Sequence, residues 1–454
     1  MNRPRTIILL VIDCLRADHL HCYGYGRHTS PAIDALAESG VRFQACYPQG
    51  TYTFPSHVSL LTSIHHATHR LRNGDLLNYR VKTVADFLKE EGYDTAAFVS
   101  NGILAGDMGF RGHFDWYDDG LSQPGTADET FSRDAHSTAR AVLEWLDNSE
   151  AKHRFLFVHF NDCHGPYLVP EPYRNLFAGD EWYRRKEILP IRSGERGVIM
   201  PRYAIGHRQE VDFYVSQYDA ALRYIDDQIH GLCTALGRDT QPDDVLLIVT
   251  GDHGEGMGEH GIYFMHGNAL YEEFIRVPLV IAGAGLPRHR CVDAPARHID
   301  VLPTILDLAG VSGAPDHLHG QSLLPVIDGS PPGARDVFDV KRTAAYLREG
   351  EWKYIRTNDY ARIPRKQGAA ELKRRARQLL FRGREELYNL ISDPGESRNL
   401  VRKEPHRAAH MRRRLDDLIA RYASFDLSEL PAAERPDADE EVIADRLRAL
   451  GYLD

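Results

Sequence analysis

Short apolar runs alternate along this chain with longer segments in which apolar residues recur every three or four positions. Thr6–Ile12 is continuously apolar and rich in β-branched residues, as expected of a strand buried on both faces of a parallel sheet. The further predicted strands are Val41–Cys46, Thr95–Ser100, Phe155–Phe160, Asp244–Thr250 and Val277–Ala282. The predicted helices are Pro31–Ser39, Val81–Glu91, Ser132–Ser149, Val211–Leu236 and Ile299–Ala309. This alternation predicts an α/β sandwich with a mostly parallel sheet.

The stretch Thr51–Ser63 predicts a turn that delivers a hydroxyl group to the start of another helix. Pro55 suits the first turn of a helix, where its missing N–H group costs nothing. Thr53, just upstream, is predicted to be the N-cap, close to free backbone N–H groups and the positive end of the helix dipole. Such a position can hold a phosphate or sulfate anion. In an isolated Thr-x-Pro-Ser segment, capping alone would explain the threonine.

Polar side chains that can bind a metal follow directly after three of the predicted strands. Asp13 ends the first strand, Asp162 and His164 follow another, and Asp252 and His253 follow a third. In an α/β fold the carboxyl ends of the strands meet at one edge of the sheet, where ligands bind. Carboxylates gathered there repel each other unless a cation lies between them. The sequence therefore predicts a cation site at this edge.

The predicted ligands of this cation are Asp13, Asp252, His253 and the hydroxyl group of Thr53. An imidazole ligand favours Zn or Mn, whereas Ca takes oxygen ligands. We therefore expect one divalent metal, Zn or Mn before Mg or Ca.

Composition and charge narrow the classes of function. The 454 residues can bury a sizeable core, and we expect one large domain and a smaller one. A net charge of −10 argues against a general nucleic-acid surface. The first apolar run is too short for a signal sequence, and no stretch reaches the length of a membrane span. The six cysteines are scattered without a C-x-x-C pair, which predicts reduced thiols and a cytoplasmic protein.

Longer motifs are spread along nearly the whole chain. They are Val11–Leu20, Cys22–Tyr25, Thr29–Ala37, Thr53–Thr62, Gly251–Glu255, Gly258–Gly261, Tyr271–Glu273, Arg276–Pro278 and Glu386–Leu400. Together they resemble the sulfatase-like branch of the alkaline phosphatase superfamily. The resemblance implies a three-layer catalytic domain over residues 1–330 and a C-terminal α+β subdomain with a small antiparallel sheet over 331–430. Residues 431–454 are expected to form a tail with a short helix.

This chain also departs from the sulfatase pattern at several functional positions. Thr53 replaces the Cys or Ser that sulfatases oxidise to formylglycine, and a threonine cannot become that aldehyde. His57 replaces the motif arginine, His266 replaces a later lysine that contacts sulfate, and Cys14 replaces the second Asp of a pair. The sulfatase Gly-Lys-Trp-His motif has no counterpart around Val99–Gly102. The cationic clamp and the special nucleophile suited to sulfate are thus both missing.

The remaining residues resemble the phosphoester side of the superfamily, where Thr or Ser attacks phosphorus directly. This resemblance predicts a metal-dependent hydrolase or transferase that acts on phosphodiesters more than monoesters, with Thr53 as the nucleophile. His164 is the predicted proton donor to the leaving group, and His57 and His266 complete the predicted catalytic set. Two alternatives stay open. One is a sulfuric ester hydrolase that works without formylglycine, and the other is a non-catalytic relative that binds anions.

A second metal is predicted as one of two options. Asp162, His164 and His266 would hold it, or else His164 and His266 contact the substrate beside a single metal. The expected partner is a small anionic ester, and a homo-oligomer is an open alternative. Residues 170–207 are expected to form a lid over the pocket. The basic stretch 372–384 is expected to be a solvated helix that bridges the core and the C-terminal subdomain, with an anionic substrate or a membrane surface as the alternative partner.

Overall fold

The structure is a computed structural model that describes residues 3–77, 81–121, 132–179, 187–189, 204–237, 244–267, 269–311, 315, 317–333, 335–357, 384–425 and 427. The predicted lid lies partly outside these residues, and the basic stretch up to residue 383 and the predicted tail lie wholly outside them. Among the described helices, none combines the length and the apolar character that crossing a membrane requires.

Strands and helices alternate through the first two thirds of the chain. The described strands are β1 (Thr6–Ile12), β2 (Val41–Tyr47), β3 (Asp94–Phe98), β4 (Trp116–Asp118), β5 (Arg154–Phe160), β6 (Val245–Gly251), β7 (Gly256–Met257), β8 (Tyr263–Met265), β9 (Val277–Gly283), β10 (Arg290–Val292), β11 (Ala296–Arg297), β12 (Val337–Lys341), β13 (Ala344–Glu349), β14 (Trp352–Thr357) and β15 (Glu385–Asn389). The described helices are α1 (Pro31–Glu38), α2 (Thr53–Thr62), α3 (His66–His69), α4 (Val84–Glu90), α5 (Ala135–Asn148), α6 (Val211–Ala235), α7 (Glu272–Ile275), α8 (Val301–Leu308), α9 (Leu324–Ile327) and α10 (Pro405–Ala423).

The large sheet has the strand order β10-β2-β9-β6-β1-β5-β3-β4, and β11 also pairs with β2. β9 runs antiparallel to both β2 and β6, and the other neighbours in this order are parallel. The predicted mostly parallel sheet is therefore confirmed. The carboxyl ends of β1, β5 and β6 lie side by side at the centre of one edge.

Helices cover both faces of this sheet. Alternate residues of β1 point to opposite faces because side chains alternate along a strand. Leu9 packs in a core with Val58 of α2 and residues of α4 and α8, and Leu10 packs in the other core with residues of α1, α5 and α6. All seven residues of β1 are buried, which explains its continuous apolar run. The three-layer sandwich implied by the resemblance is confirmed.

The C-terminal part is a four-stranded antiparallel sheet, β12-β13-β14-β15, with α10 packed on it. Phe338, Leu347 and Met411 belong to the core between this sheet and the helix. The small α+β subdomain is thereby confirmed, while its boundaries at residues 330 and 430 stay predictions.

Two helices begin later than the hydrophobic pattern predicts, because polar residues cap them. α4 begins at Val84 rather than Val81, after a capping box formed by Thr83 and Asp86. α5 begins at Ala135 rather than Ser132, because the Asp134 carboxylate accepts a hydrogen bond from the backbone N–H of Ser137 at 2.7 Å.

Candidate active site

The hydroxyl group of Thr53 lies at the start of α2, but Thr53 is not the N-cap. The carbonyl of Tyr52 accepts the first helical bond from Ser56 at 3.2 Å, so Tyr52 occupies the N-cap position and the prediction was wrong by one residue. The free N–H of Phe54 donates instead to Asn73 at 3.0 Å. The Thr53 side chain is therefore not used for capping, although it is completely buried. Capping alone does not explain this threonine.

Asp13, Asp252 and His253 converge on the Thr53 hydroxyl. One ligand atom from each of the three residues lies within 4.8 Å of the others. Nε2 of His253 is 3.4 Å from a carboxylate oxygen of Asp252 and 3.8 Å from one of Asp13. The hydroxyl oxygen of Thr53 lies 3.5 Å from Asp13 and 3.4 Å from Nε2 of His253. The structure thus brings all four predicted metal ligands together.

The protonation state of His253 suits a metal ligand. Its Nδ1 donates a hydrogen bond to the carbonyl oxygen of Gly254 at 3.0 Å, which leaves the lone pair of Nε2 facing the two carboxylates. Burial, with His266 next to it, lowers the pKa of His253 to about 3. At neutral pH His253 is therefore a neutral imidazole, the form that binds metals.

The carboxylates of Asp13 and Asp252 are not paired with an Arg or Lys among the residues that the structure describes. Burial and the nearby charge of Asp13 raise the pKa of Asp252 well above its usual range. Burial also opposes ionisation of Asp13, but the neighbouring imidazoles of His159, His164 and His253 hold its pKa well below the usual range. A divalent cation fits this pair, because it would allow both carboxylates to ionise.

His164 and His266 lie beside this cluster. The His266 ring centroid is 4.4 Å from that of His253 and 5.1 Å from that of His164. Nδ1 of His266 lies 3.3 Å from a carboxylate oxygen of Glu255 and 3.5 Å from the sulfur of Cys14. Nδ1 of His164 donates to the carbonyl of Gly165 at 2.8 Å. Burial lowers the pKa of His164, which disfavours the protonated imidazole that a proton donor needs.

Asp162 is not brought together with His164 and His266. It belongs to none of the three clusters of potential metal ligands that the described residues form. Its carboxylate accepts a hydrogen bond from the backbone N–H of Ala135 at 3.2 Å, at the start of α5. Burial raises the pKa of Asp162 to about 7. The predicted trio for a second metal is therefore not assembled.

Two residues that the sequence did not single out contact the Asp13 carboxylate. The amide of Asn101 donates to Asp13 at 3.0 Å and to the side-chain oxygen of Asn161 at 2.9 Å. Nε2 of His159 lies 3.6 Å from Asp13, because β5 pairs with β1 so that His159 is opposite Val11. A histidine inside an otherwise apolar strand was the signal that could have identified it.

His57 lies one helical turn below Thr53 on α2, and Cys14 directly follows Asp13 in the chain. Nδ1 of His57 donates to the Thr53 carbonyl at 2.7 Å, and its ring packs 5.1 Å from that of His159. Burial and His159 lower the pKa of His57 well below its usual range. The backbone N–H of Cys14 donates to Asp252 at 3.0 Å, with φ of +60° at Cys14. The hydrogen bond from His57 therefore supports the first turn of α2.

Comparison with known families identifies the chain. The family model described as "Sulfatase" matches residues 5–311, and "N-sulphoglucosamine sulphohydrolase, C-terminal" matches residues 258–421. The chain belongs to the sulfatase family. Members of this family generally bind a divalent metal, and Asp13, Asp252 and His253 are candidate ligands for it in this chain. The structure does not show which metal it is.

The proteins that are similar to this chain include both a sulfatase and a phosphonate monoester hydrolase. The uncharacterized sulfatase YidJ of Escherichia coli (strain K12) is 25% identical, with 93% of this chain and 87% of that protein covered. The multifunctional alkaline phosphatase superfamily protein PehA of Trinickia caryophylli is 28% identical, with 72% of this chain and 78% of that protein covered. The crystal structure of the phosphonate monoester hydrolase of Agrobacterium radiobacter has the same fold. Its TM-score is 0.69 at 22% identity, covering 96% of this chain and 100% of that chain.

Proposed function

We propose that this sulfatase-family hydrolase cleaves phosphoester bonds in small anionic substrates, diesters more readily than monoesters, with Thr53 as the nucleophile. One observation carries the proposal. The Thr53 hydroxyl is fully buried, takes no part in capping α2, and lies within 3.5 Å of both Asp13 and His253. A hydroxyl in this position is suited to attack rather than to structural support.

The chain's own residues account for each stage of a two-step reaction. The Thr53 hydroxyl gives its proton to solvent, and its oxygen bonds to phosphorus while the bond from phosphorus to the leaving oxygen breaks. The leaving oxygen takes a proton from His164, which gives an esterified phosphothreonine and the released alcohol. Water then attacks phosphorus and gives a proton to His164, while the bond from phosphorus to the Thr53 oxygen breaks and that oxygen takes a proton from solvent. A bound divalent metal would favour ionisation of the hydroxyl and offset negative charge on the transferring group.

His164 is the proposed proton donor to the leaving oxygen. Burial lowers its pKa in the free protein, while the charge of Asp13 acts in the opposite direction. An anionic substrate in the site would favour the protonated imidazole further, because opposite charges stabilise each other. His266, which lies between His253 and His164, is placed to contact a substrate oxygen. These two histidines act beside one catalytic metal in this proposal.

A sulfuric ester hydrolase is the second candidate. The family match and the name of the Escherichia coli relative favour it. Against it stand Thr53, which cannot become formylglycine, and the histidines in place of the sulfate-binding Arg and Lys. The likeness of fold to a phosphonate monoester hydrolase is compatible with either ester.

Parallel assays with one leaving group distinguish the two candidates. Protein stripped of metal by a chelator would be supplied with Zn, Mn, Mg or Ca and tested on an aryl phosphodiester, an aryl phosphomonoester and an aryl sulfate. We expect the highest kcat/KM for the phosphodiester, with activity restored best by Zn or Mn. A higher kcat/KM for the aryl sulfate would replace the proposal with the second candidate, and no turnover with any ester and metal would reject both.

A further inference from the structure

A second cluster of ligand atoms lies directly beneath the cluster that faces Thr53. One ring nitrogen each from His57 and His159 and one carboxylate oxygen of Asp252 lie within 4.8 Å of one another. All three residues are completely buried. Asp252 belongs to both clusters and therefore connects them.

The fold places this cluster one layer deeper than the first. His57 follows Thr53 by four residues on α2 and so lies one helical turn below it. His159 points from β5 to the face of the sheet on which α2 packs, as Phe157 does. Its Nε2 is 3.6 Å from Asp13, so Asp13 also lies between the two layers.

Several polar atoms of the deeper cluster have no hydrogen-bond partner among the described residues. They are Nε2 of His57, both ring nitrogens of His159 and one carboxylate oxygen of Asp252. Buried polar atoms are normally paired, and so many unpaired atoms in one place indicate a missing occupant. Hydrogen bonds among the described residues therefore satisfy only Nδ1 of His57 out of the four ring nitrogens of His57 and His159.

The donor types and spacings indicate a cation as that occupant. Zinc bonds to nitrogen and oxygen ligands are about 2.0 to 2.2 Å long, so the donors of a tetrahedral site lie roughly 3.3 to 3.6 Å apart. Nε2 of His159 lies 3.6 Å from a carboxylate oxygen of Asp13, at the upper end of that range. Because Nδ1 of His57 donates to the Thr53 carbonyl, its lone pair is on Nε2. Imidazoles with carboxylates suit Zn or Mn better than Mg or Ca.

We propose that His57, His159 and Asp252, with Asp13 shared between the layers, form a second divalent-cation site on the core side of the catalytic cluster. This site replaces the predicted trio of Asp162, His164 and His266. Its existence does not depend on which ester the enzyme cleaves. The shared carboxylates would couple its occupancy to that of the cluster around His253.

Metal content measures the proposal without relying on activity. The full-length protein, stripped by a chelator and saturated with zinc, would be freed of excess metal and analysed by elemental mass spectrometry. We expect two zinc ions per wild-type chain and one per chain in His159→Gln and in His57→Gln. His298→Gln is a matched control, because His298 is a buried histidine that contacts Ser56 and Thr250 nearby, and it should keep both ions.

Anomalous diffraction of the zinc-loaded wild-type protein at the zinc edge keeps the proposal testable if a variant fails to fold. We expect two peaks, one of them enclosed by His57 and His159. A single zinc ion near His253, with only water between His57 and His159, would overturn this inference and leave the proposed function intact. If the wild-type protein binds no zinc at all, this inference is overturned. The assignment of zinc to the cluster around His253 is then overturned as well.

Discussion

Replacing Asp252 by Asn keeps the shape of the side chain but removes one of two buried carboxylates. Ligand atoms of Asp13 and Asp252 lie within 4.8 Å of each other. Two full charges at that distance repel by about 3.5 kcal/mol at an effective dielectric constant of about 20. In the metal-free protein, Asp252→Asn should therefore increase the free energy of unfolding by about 3 kcal/mol at pH 8.

The sign of the pH dependence follows from the two pKa shifts. The pKa of Asp252 is raised in the folded state, so the folded protein holds a proton that the unfolded chain releases above the ordinary value of 3.8. Stability of the metal-free wild-type protein should thus fall as the pH rises above about 4, until Asp252 ionises in the folded state. The pKa of Asp13 is lowered in the folded state, so its effect on stability has the opposite sign. Ionised Asp13 stabilises the folded protein above the ordinary value of 3.8, and this stabilisation is lost as the pH falls below it. Asp252→Asn should make the decline above pH 4 smaller, while the contribution of Asp162, whose pKa is also raised, remains.

Urea unfolding between pH 5 and pH 9, with and without zinc, measures both effects. Zinc at a hundred times its dissociation constant should stabilise the wild-type protein by about 2.7 kcal/mol and the variant by much less. Asp219→Asn is the matched control, because Asp219 is equally buried but pairs with Arg27 at 2.7 Å. Losing that pair should destabilise the protein by about 3 to 5 kcal/mol.

Two results would refute the reasoning about Asp252. One is an Asp252→Asn protein that is destabilised without metal as strongly as Asp219→Asn. The other is equal stabilisation of the wild-type protein and Asp252→Asn by zinc. Either result would mean that Asp252 is a structural carboxylate rather than a metal ligand.

Three further predictions concern single residues. Lys353→Met should cost about 3 to 5 kcal/mol in urea unfolding, since buried Lys353 lies 2.8 Å from a carboxylate oxygen of buried Glu396 and its removal leaves that carboxylate without its cation; a loss below about 1 kcal/mol would contradict this. Burial raises the pKa of Cys14, so peptide mapping after alkylation should show native labelling at exposed Cys291 and not at Cys14; equal labelling would contradict this. Thr53→Cys should give no strong gain in aryl sulfate hydrolysis, and a strong gain would support the sulfatase alternative.

The sheet could be predicted because its central strands are buried on both faces. Continuous apolar runs such as Thr6–Ile12 allow few other interpretations. Helix starts were harder, because hydrophobic periodicity does not show whether Thr83 or Asp134 caps a helix. Tyr52 was missed as the N-cap of α2 because its side chain makes no capping bond.

Residues at strand ends converge as the topology requires, and this explains why Asp13, Asp252 and His253 could be chosen together. Their role as metal ligands stays a prediction. Asp162 was grouped with His164 because the two residues are only two positions apart in the sequence. In the structure, the Asp162 carboxylate instead accepts a hydrogen bond at the start of α5. His159 could not be placed without the register of β5 against β1, which only the folded sheet defines.

The central claim is that the Thr53 oxygen attacks the ester, and Thr53→Ala tests it most directly. The measurement is kcat for an aryl phosphodiester at saturating metal, with Thr53→Ser as the variant that keeps the hydroxyl group. We predict that Thr53→Ala loses about a thousandfold or more in kcat while still binding inorganic phosphate, and that Thr53→Ser retains activity. A metal-saturated Thr53→Ala protein that cleaves the phosphodiester at the wild-type rate would contradict the claim and identify water as the attacking group.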